Sequence, residues 1–464
     1  MEKTVKILTA ALLLLALILI GVICGSHLFY GQDGSGNRIF AGKKIKNLLD
    51  EDLTVSQFEE ISRQYPGRKI LWNVPFQQRH YASNTEKITI TSLNMEDVKR
   101  LQYLTDLSFV DAKNCFDYEA LNALRLAKPQ CRLDYEVVLD GKFYPMDTES
   151  LEFERGEEDY KELMQRLICL PELKQVTFRN PDLTAQELKT LVEQYPQVHF
   201  EWEKELFGRT ISSETEDLDI SGIKFTSVEE VEKQTDFLPN LKMLLMCDTG
   251  LPYEDIAEFR DRSRDRFKVV FNVIIKNLDV RTDIVRFAPR EFSSAVSDCD
   301  TRYLVYCEDL VSVDLSNCVV RNIDWARGTP HLQYLIIKNS PFRDLQPLRY
   351  LKELKLLELS KLDLRDLRPL EDCTALEDLK ITGGFPKIHV LQNMTWLKHL
   401  WVPGEKANLR KLLPHTEVHG SLEPGWEKLP NYQQMKMLKD PHVPVVLEHP
   451  PVKEITPGFV IPKA

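Results

Sequence analysis

Five near-identical phrases recur in the second half of the chain, opened by Leu310 in LVSVDLSNC, Leu332 in LQYLIIKNS, Leu354 in LKLLELSKL, Leu376 in LEDLKITGG and Leu397 in LKHLWVPGE, at intervals of 22, 22, 22 and 21 residues. So short and regular a period leaves few folds open. A unit of this size cannot bury its own apolar side, whereas stacked neighbours can, so the pattern demands a coil repeated along one axis.

The second half of the unit keeps the same period. Ile323, Leu345, Leu367 and Ile388 align, as do Ala326, Leu348, Leu370 and Leu391. Each copy is expected to hold a short strand with alternate residues turned inward, such as Leu335 and Ile337, then a turn and a short return leg whose apolar side chains fill the same interior. The strands then form a parallel sheet hydrogen-bonded from copy to copy.

The phrase LxxLxLxxN/C followed by DLxPLxxLxxL resembles the leucine-rich repeat family, closest to its 22-residue bacterial internalin-like type. The matching residues are Leu332, Leu335, Ile337, Phe342, Leu345, Pro347, Leu348 and Leu351, and again Leu354, Leu357, Leu359, Leu364, Leu367, Pro369 and Leu370. The family usually has Asn where this chain has Cys318, Ser340, Leu362 and Gly384, which points to a degenerate form lacking most of an interior Asn ladder. The resemblance implies a binding scaffold rather than catalysis. It also implies a concave face lined by the outward strand residues: Asp314, Ser316, Ile336, Lys338, Glu358, Ser360, Lys380, Thr382 and Trp401. Ile336 and Trp401 are the apolar members of that polar row, and exposed aromatics among polar neighbours anchor partners.

The first half repeats on a longer scale. Leu173 in LPELKQVTF aligns with Leu241 in LPNLKMLLM at a shift of 68 residues, and Leu104 in LTDLSF sits 69 residues before Leu173. An amphipathic segment and a strand follow each, and Thr54 to Val74 reads as an earlier copy. VVLDGKFYP and KELFGRTIS cross Gly141 and Gly208 as hairpins do. The unit is therefore strand, helix, strand, helix, strand, hairpin, and Thr184 with Glu187 three residues on has the spacing of a helix N-cap. Either one continuous coil or separate small α/β domains would satisfy this order.

Lys3 and Lys6 followed by the apolar run from Ile7 to Cys24 predict a transmembrane signal anchor over residues 1–30, with a Gly-rich stalk at 31–46. This would make the protein a single-pass protein of a bacterial cell membrane with its bulk outside the cytoplasm. Irregular long repeats over 47–274, a junction at 275–308, the 22-residue repeats at 309–420 and a Pro-rich cap or tail at 421–464 complete the expected division.

The chain of 464 residues is 43% hydrophobic, 28% charged and carries a formal net charge of -11, so it is expected to fold and not to bind nucleic acid. Nine cysteines are too sparse for a disulfide framework. Only Cys299 and Cys307 lie close enough in sequence to suggest a bridge. Phosphate-binding, dinucleotide, nucleophile-elbow and zincin motifs are missing from the sequence. HTEVH places His415, Glu417 and His419 on one face of an expected strand, but no further metal ligand accompanies them, so no metal or cofactor is assigned.

These observations predict an α/β leucine-rich repeat solenoid, horseshoe-like, with a parallel sheet and long N-terminal repeats carrying hairpin insertions. Its expected role is recognition of a protein or glycan partner without catalysis. A structural subunit of an envelope assembly and an enzyme with a loop-built site around 275–308 remain open.

Overall fold

The computed structural model describes residues 46–154, 160–289, 296–384, 388–404, 406–438 and 445–446. Two compact units divide between Glu203 and Lys204.

The first unit carries the long repeat. The strands Lys87–Thr89, Phe109–Asp111 and Arg132–Asp134 pair in parallel, with Lys87, Phe109 and Arg132 in register. Ser150–Glu154, Gln175–Arg179 and His199–Leu206 repeat the arrangement, with Ser150, Gln175 and His199 in register. Helices Tyr118–Ala127 and Ala185–Gln194 connect the second strand of each trio to the third. Thr184 accepts from the Glu187 backbone N–H while the Glu187 carboxylate accepts from that of Thr184, the capping box that their spacing predicts. Between the trios stands the hairpin Glu136–Leu139 with Lys142–Pro145, turning at Asp140 and Gly141 with φ of 50° and 67°. Hairpins therefore interrupt the parallel ladder: the first trio is a sheet of its own, and the second is extended to four strands by Arg209–Ser212 beside His199–Leu206.

The second unit opens with one more trio, Asp217–Asp219, Met243–Leu245 and Lys268–Val270. A further hairpin follows, Asn272–Ile275 with Leu278–Arg281, inside the region expected to be a junction. Arg286–Phe287 then pairs with Ser312–Asp314 and begins a parallel sheet of seven strands. Its other members are Tyr334–Lys338, Leu356–Asp363, Asp378–Gly384, His399–Val402 and Glu417–Gly420.

The 22-residue period is realised as one rung per copy. Leu335, Leu357, Leu379 and Leu400 lie in register beneath the sheet and are fully buried. The return legs are short 3-10 turns such as Gln346–Tyr350 and Arg368–Asp372, each with Pro in its first turn, where the missing N–H costs nothing. One apolar core runs from Leu206 to Val418 through all of these coils. At or just past the end of five of these strands' ladders the chain passes through a left-handed residue: Asn317, Asn339, Lys361, Gly383 and Gly404. Gly383 is required, since a Cβ there would lie 2.3 Å from the Leu362 carbonyl oxygen and φ is 112°. Asn339 Nδ2 donates to Asn317 Oδ1 at 3.1 Å, so the Asn contacts lie one residue before the expected interior position.

Two expectations need correction. The anchor over residues 1–30 and the stalk, save its last residue Lys46, which begins a strand, fall outside the described residues, and among the described residues no helix is long and apolar enough to cross a membrane. Membrane attachment, the single-pass location and an extracytoplasmic body are therefore not carried forward. Cys299 and Cys307 form no bridge: the first is exposed and the second is fully buried among core side chains.

Candidate functional site

Strand register sorts the outward residues of the seven-stranded sheet into rows. Asp314, Ile336, Glu358, Lys380, Trp401 and His419 form one; Ser312, Tyr334, Leu356, Asp378, His399 and Glu417 form the next. Lys338, Ser360 and Thr382 make a third, with Ser316 just beyond its own strand. The residues expected to line one face thus do share it.

The centre of that face is closed to solvent. Ile336 and Trp401, expected to be exposed anchors, are each 2% exposed, and Glu358 is 1% exposed. The cover is the chain's own segment after the last rung. A 3-10 turn at Trp426–Lys428 and a helix at Pro430–Met437 lay Trp426, Leu429, Tyr432 and Met435 against Tyr334, Ile336, Leu356 and Trp401. Pro430 suits the first turn of its helix, where no partner for its nitrogen is needed. Beyond that helix, Val445 and Val446 pair antiparallel with Asp279 and Leu278 of the preceding hairpin.

Glu358 stands at the centre. Its Oε2 lies 2.9 Å from Lys338 Nζ and accepts the Trp426 indole N–H at 2.9 Å; its Oε1 lies 3.3 Å from Lys380 Nζ and accepts from the Ser360 hydroxyl at 3.0 Å. Both carboxylate oxygens are fully used, as a buried anion requires. Lys380 also sits over the Trp426 ring, 5.6 Å from its centroid. One row over, Asn431 Nδ2 donates to Asp378 Oδ2 and to Glu377 Oε2, each at 3.0 Å, while His399 Nδ1 donates to Asp378 Oδ1 at 2.7 Å. Tyr334 donates its hydroxyl to Gln434 Oε1 at 3.1 Å.

An aromatic group closes the far end. Trp401 stacks on His419 with centroids 4.1 Å apart, meets Trp426 edge-on at 5.3 Å, and donates its indole N–H to the Glu423 carbonyl. Burial there holds the His419 imidazolium below its ordinary pKa, against the opposing pull of Glu417. The Lys398 ammonium holds the Glu377 carboxyl below its ordinary value.

The alternative chemical sites are weaker. His415 is exposed and outside the final strand, so HTEVH gathers no His/Glu/His cluster, and no group of three or more metal-ligating side chains occurs among the described residues. Beside the former junction lies a cleft of about 220 Å³ that includes Arg260, Arg264, Tyr306, Glu308 and Asp309. Its Glu308 is held by Arg260 and Arg264, each at 2.8 Å, and Asp309 by Lys268, so its charged groups are engaged in ion pairs.

Residue patterning does not foretell the covering segment. Trp426, Leu429, Tyr432 and Met435 recur every three residues, a helical face in outline. Pro424, Gly425 and Pro430 break the pattern into a turn, a cap and a short helix, which is why it reads as a tail.

No family model and no curated protein matches this sequence. Among solved structures it is similar to internalin C2 of Listeria monocytogenes, at 14% identity over 47% of this chain and 87% of that one, with a TM-score of 0.25. Internalin F of the same organism gives 13% identity over 81% and 91%, with a TM-score of 0.23. A leucine-rich repeat protein of Leptospira interrogans gives 14% over 71% and 93%, also at 0.23. These are distant, partial likenesses. The expectation of a membrane-anchored, internalin-like protein is corrected to an α/β repeat protein of leucine-rich repeat-like architecture, the assignment that the rungs themselves carry.

Proposed function

We propose that the chain is a protein-binding scaffold without catalytic activity, and that the outer face of the seven-stranded sheet is its recognition surface for a peptide segment. One observation carries this reading. The face already holds such a segment, residues 423–438, through directed contacts: indole to Glu358, amide to Asp378 and Glu377, hydroxyl of Tyr334 to Gln434. Hot-spot residues in protein recognition are large aromatics seated in desolvated pockets and ringed by polar groups, as Trp426 is. Asp314, Ser316 and Thr382 are partly exposed beside the covered centre and would form the rim of the surface.

The test uses the full chain with Trp426→Ala and Tyr432→Ala, which remove two anchors of the resident segment. Fluorescence anisotropy with a labelled peptide of residues 421–438 should show saturable binding, lost on adding Glu358→Lys. Absence of saturable binding by a variant that retains its thermal transition would overturn the reading.

A further inference from the structure

The face beneath residues 423–438 is built differently from the core beneath the same strands. Under the sheet, Leu335, Leu357, Leu379 and Leu400 are apolar without exception. Above it, the buried or half-buried side chains include Glu358, Ser360, Asp378, Lys380 and His399. Surfaces joined permanently resemble a core cut in half, whereas surfaces that part from time to time keep polar and charged groups.

The charges on this face are also settled without the covering segment. Glu358 is neutralised by Lys338 and Lys380, both on neighbouring rungs; Asp378 is bonded by His399, and Glu377 by Lys398 at 2.6 Å. Trp426, Asn431 and Gln434 add only uncharged groups to this arrangement. When the segment lifts, Glu358 and Glu377 keep their lysine partners and Asp378 keeps its bond to His399, so each carboxylate meets water with a partner already in place. Unpaired buried charge is what makes the loss of a polar contact expensive, and here undocking creates none.

The path into the segment is short and open. Leu422 is 98% exposed, and Gly425 turns at a φ of 120° immediately before Trp426. The rest of the cover is a turn and a helix of eight residues, Pro430–Met437, too short to persist on its own in water.

We propose that residues 421–438 are a resident, displaceable occupant, and that the site beneath them is completed in trans by a protein segment of the same chemistry. That segment would carry a Trp for the Glu358 carboxylate and, five and eight residues on, an Asn for Asp378 and a Gln for the Tyr334 hydroxyl. The chain's own C-terminal segment then acts as a tethered competitor that sets a threshold for partners. This rests on the peptide-binding reading above and adds exchangeability to it.

The experiment keeps the whole protein. A specific protease site placed between Ser421 and Glu423 is cut after folding, and the labelled synthetic peptide of residues 421–438 is added to the nicked protein. Exchange within minutes to hours is expected, with affinity falling roughly tenfold or more for a peptide carrying Trp426→Phe, which keeps an aromatic ring but loses the N–H donor and the pyrrole half of the indole. Hydrogen exchange on the uncut wild-type chain is the second readout. Amides of Pro430–Met437 should exchange at least a hundredfold faster than those of Leu356–Asp363, showing that the segment opens while the rungs stay closed. A cut segment that remains bound for days, with both regions exchanging together, would overturn displacement while leaving peptide binding intact. A cut segment that departs, on a chain that then takes up no peptide, would overturn both.

Discussion

Trp426 donates its indole N–H to Glu358 at 2.9 Å across 68 residues of sequence. That bond joins a repeat that obeys a strict period to a segment that obeys none. It gives a carboxylate, set where the repeat leaves the residue free, a role in holding chain against chain.

The two lysines beside Glu358 should not be equivalent. Lys380 is 20% exposed and Lys338 35%, so water screens the second more effectively. Lys380→Met should destabilise the chain by ~1–3 kcal/mol, and Lys338→Met by clearly less. Urea unfolding of the two variants measures the difference, and equal losses would contradict the assignment of Lys380 as the better-buried partner.

Gly383 and Gly404 occupy the same left-handed position in successive rungs, yet only Gly383 faces a neighbouring backbone. Gly404→Ala should cost about 1 kcal/mol for its backbone conformation alone. Gly383→Ala meets the Leu362 carbonyl as well and should cost more, ~3 kcal/mol or above. Thermal unfolding of the pair is the measurement.

Acid should loosen the covering segment in two stages. The His419 pKa is lowered in the folded chain, so its contribution is complete above the ordinary value of 6.5 and is lost as pH falls through the folded value. Glu417, Glu423, His399 and Arg410 face or flank that ring and shape this stage. Glu377, also lowered, contributes above its ordinary value of 4.5 and is lost at lower pH still. Tryptophan fluorescence against pH should show the first change as pH falls below the ordinary histidine value of 6.5, absent in His419→Gln.

Leu357 lies under Glu358's own strand in the apolar core, fully buried. Leu357→Ala should cost ~2–5 kcal/mol, through lost burial and the cavity left behind. Trp426→Ala, by contrast, should raise hydrogen exchange in Pro430–Met437 and leave the rungs protected, because the rung ladder closes without it.

Much of the fold is legible in the sequence because its leucines lie at fixed intervals, and an interval constrains every copy at once. Leu332, Leu354, Leu376 and Leu397 are enough to set the rungs, and Gly141 marks a hairpin by its turn geometry. Ile336, Glu358 and Lys380 are likewise placed on one face by strand alternation. What covers them is not legible. Trp426 and Asn431 reach the face through contacts with residues more than fifty positions away, and no local pattern encodes such a pairing. Ile336 and Trp401 therefore read as exposed anchors when they are buried beneath Trp426, Leu429, Tyr432 and Met435.

The most direct test is the indole signal of Trp426 itself. In a chain labelled with ¹⁵N-tryptophan, the Trp426 cross-peak is identified by its loss in Trp426→Phe. The account predicts that this peak is protected from solvent exchange and moves on Glu358→Gln more than that of any other tryptophan. A Trp426 peak at the free-indole position, exchanging rapidly with water and unmoved by Glu358→Gln, would contradict it.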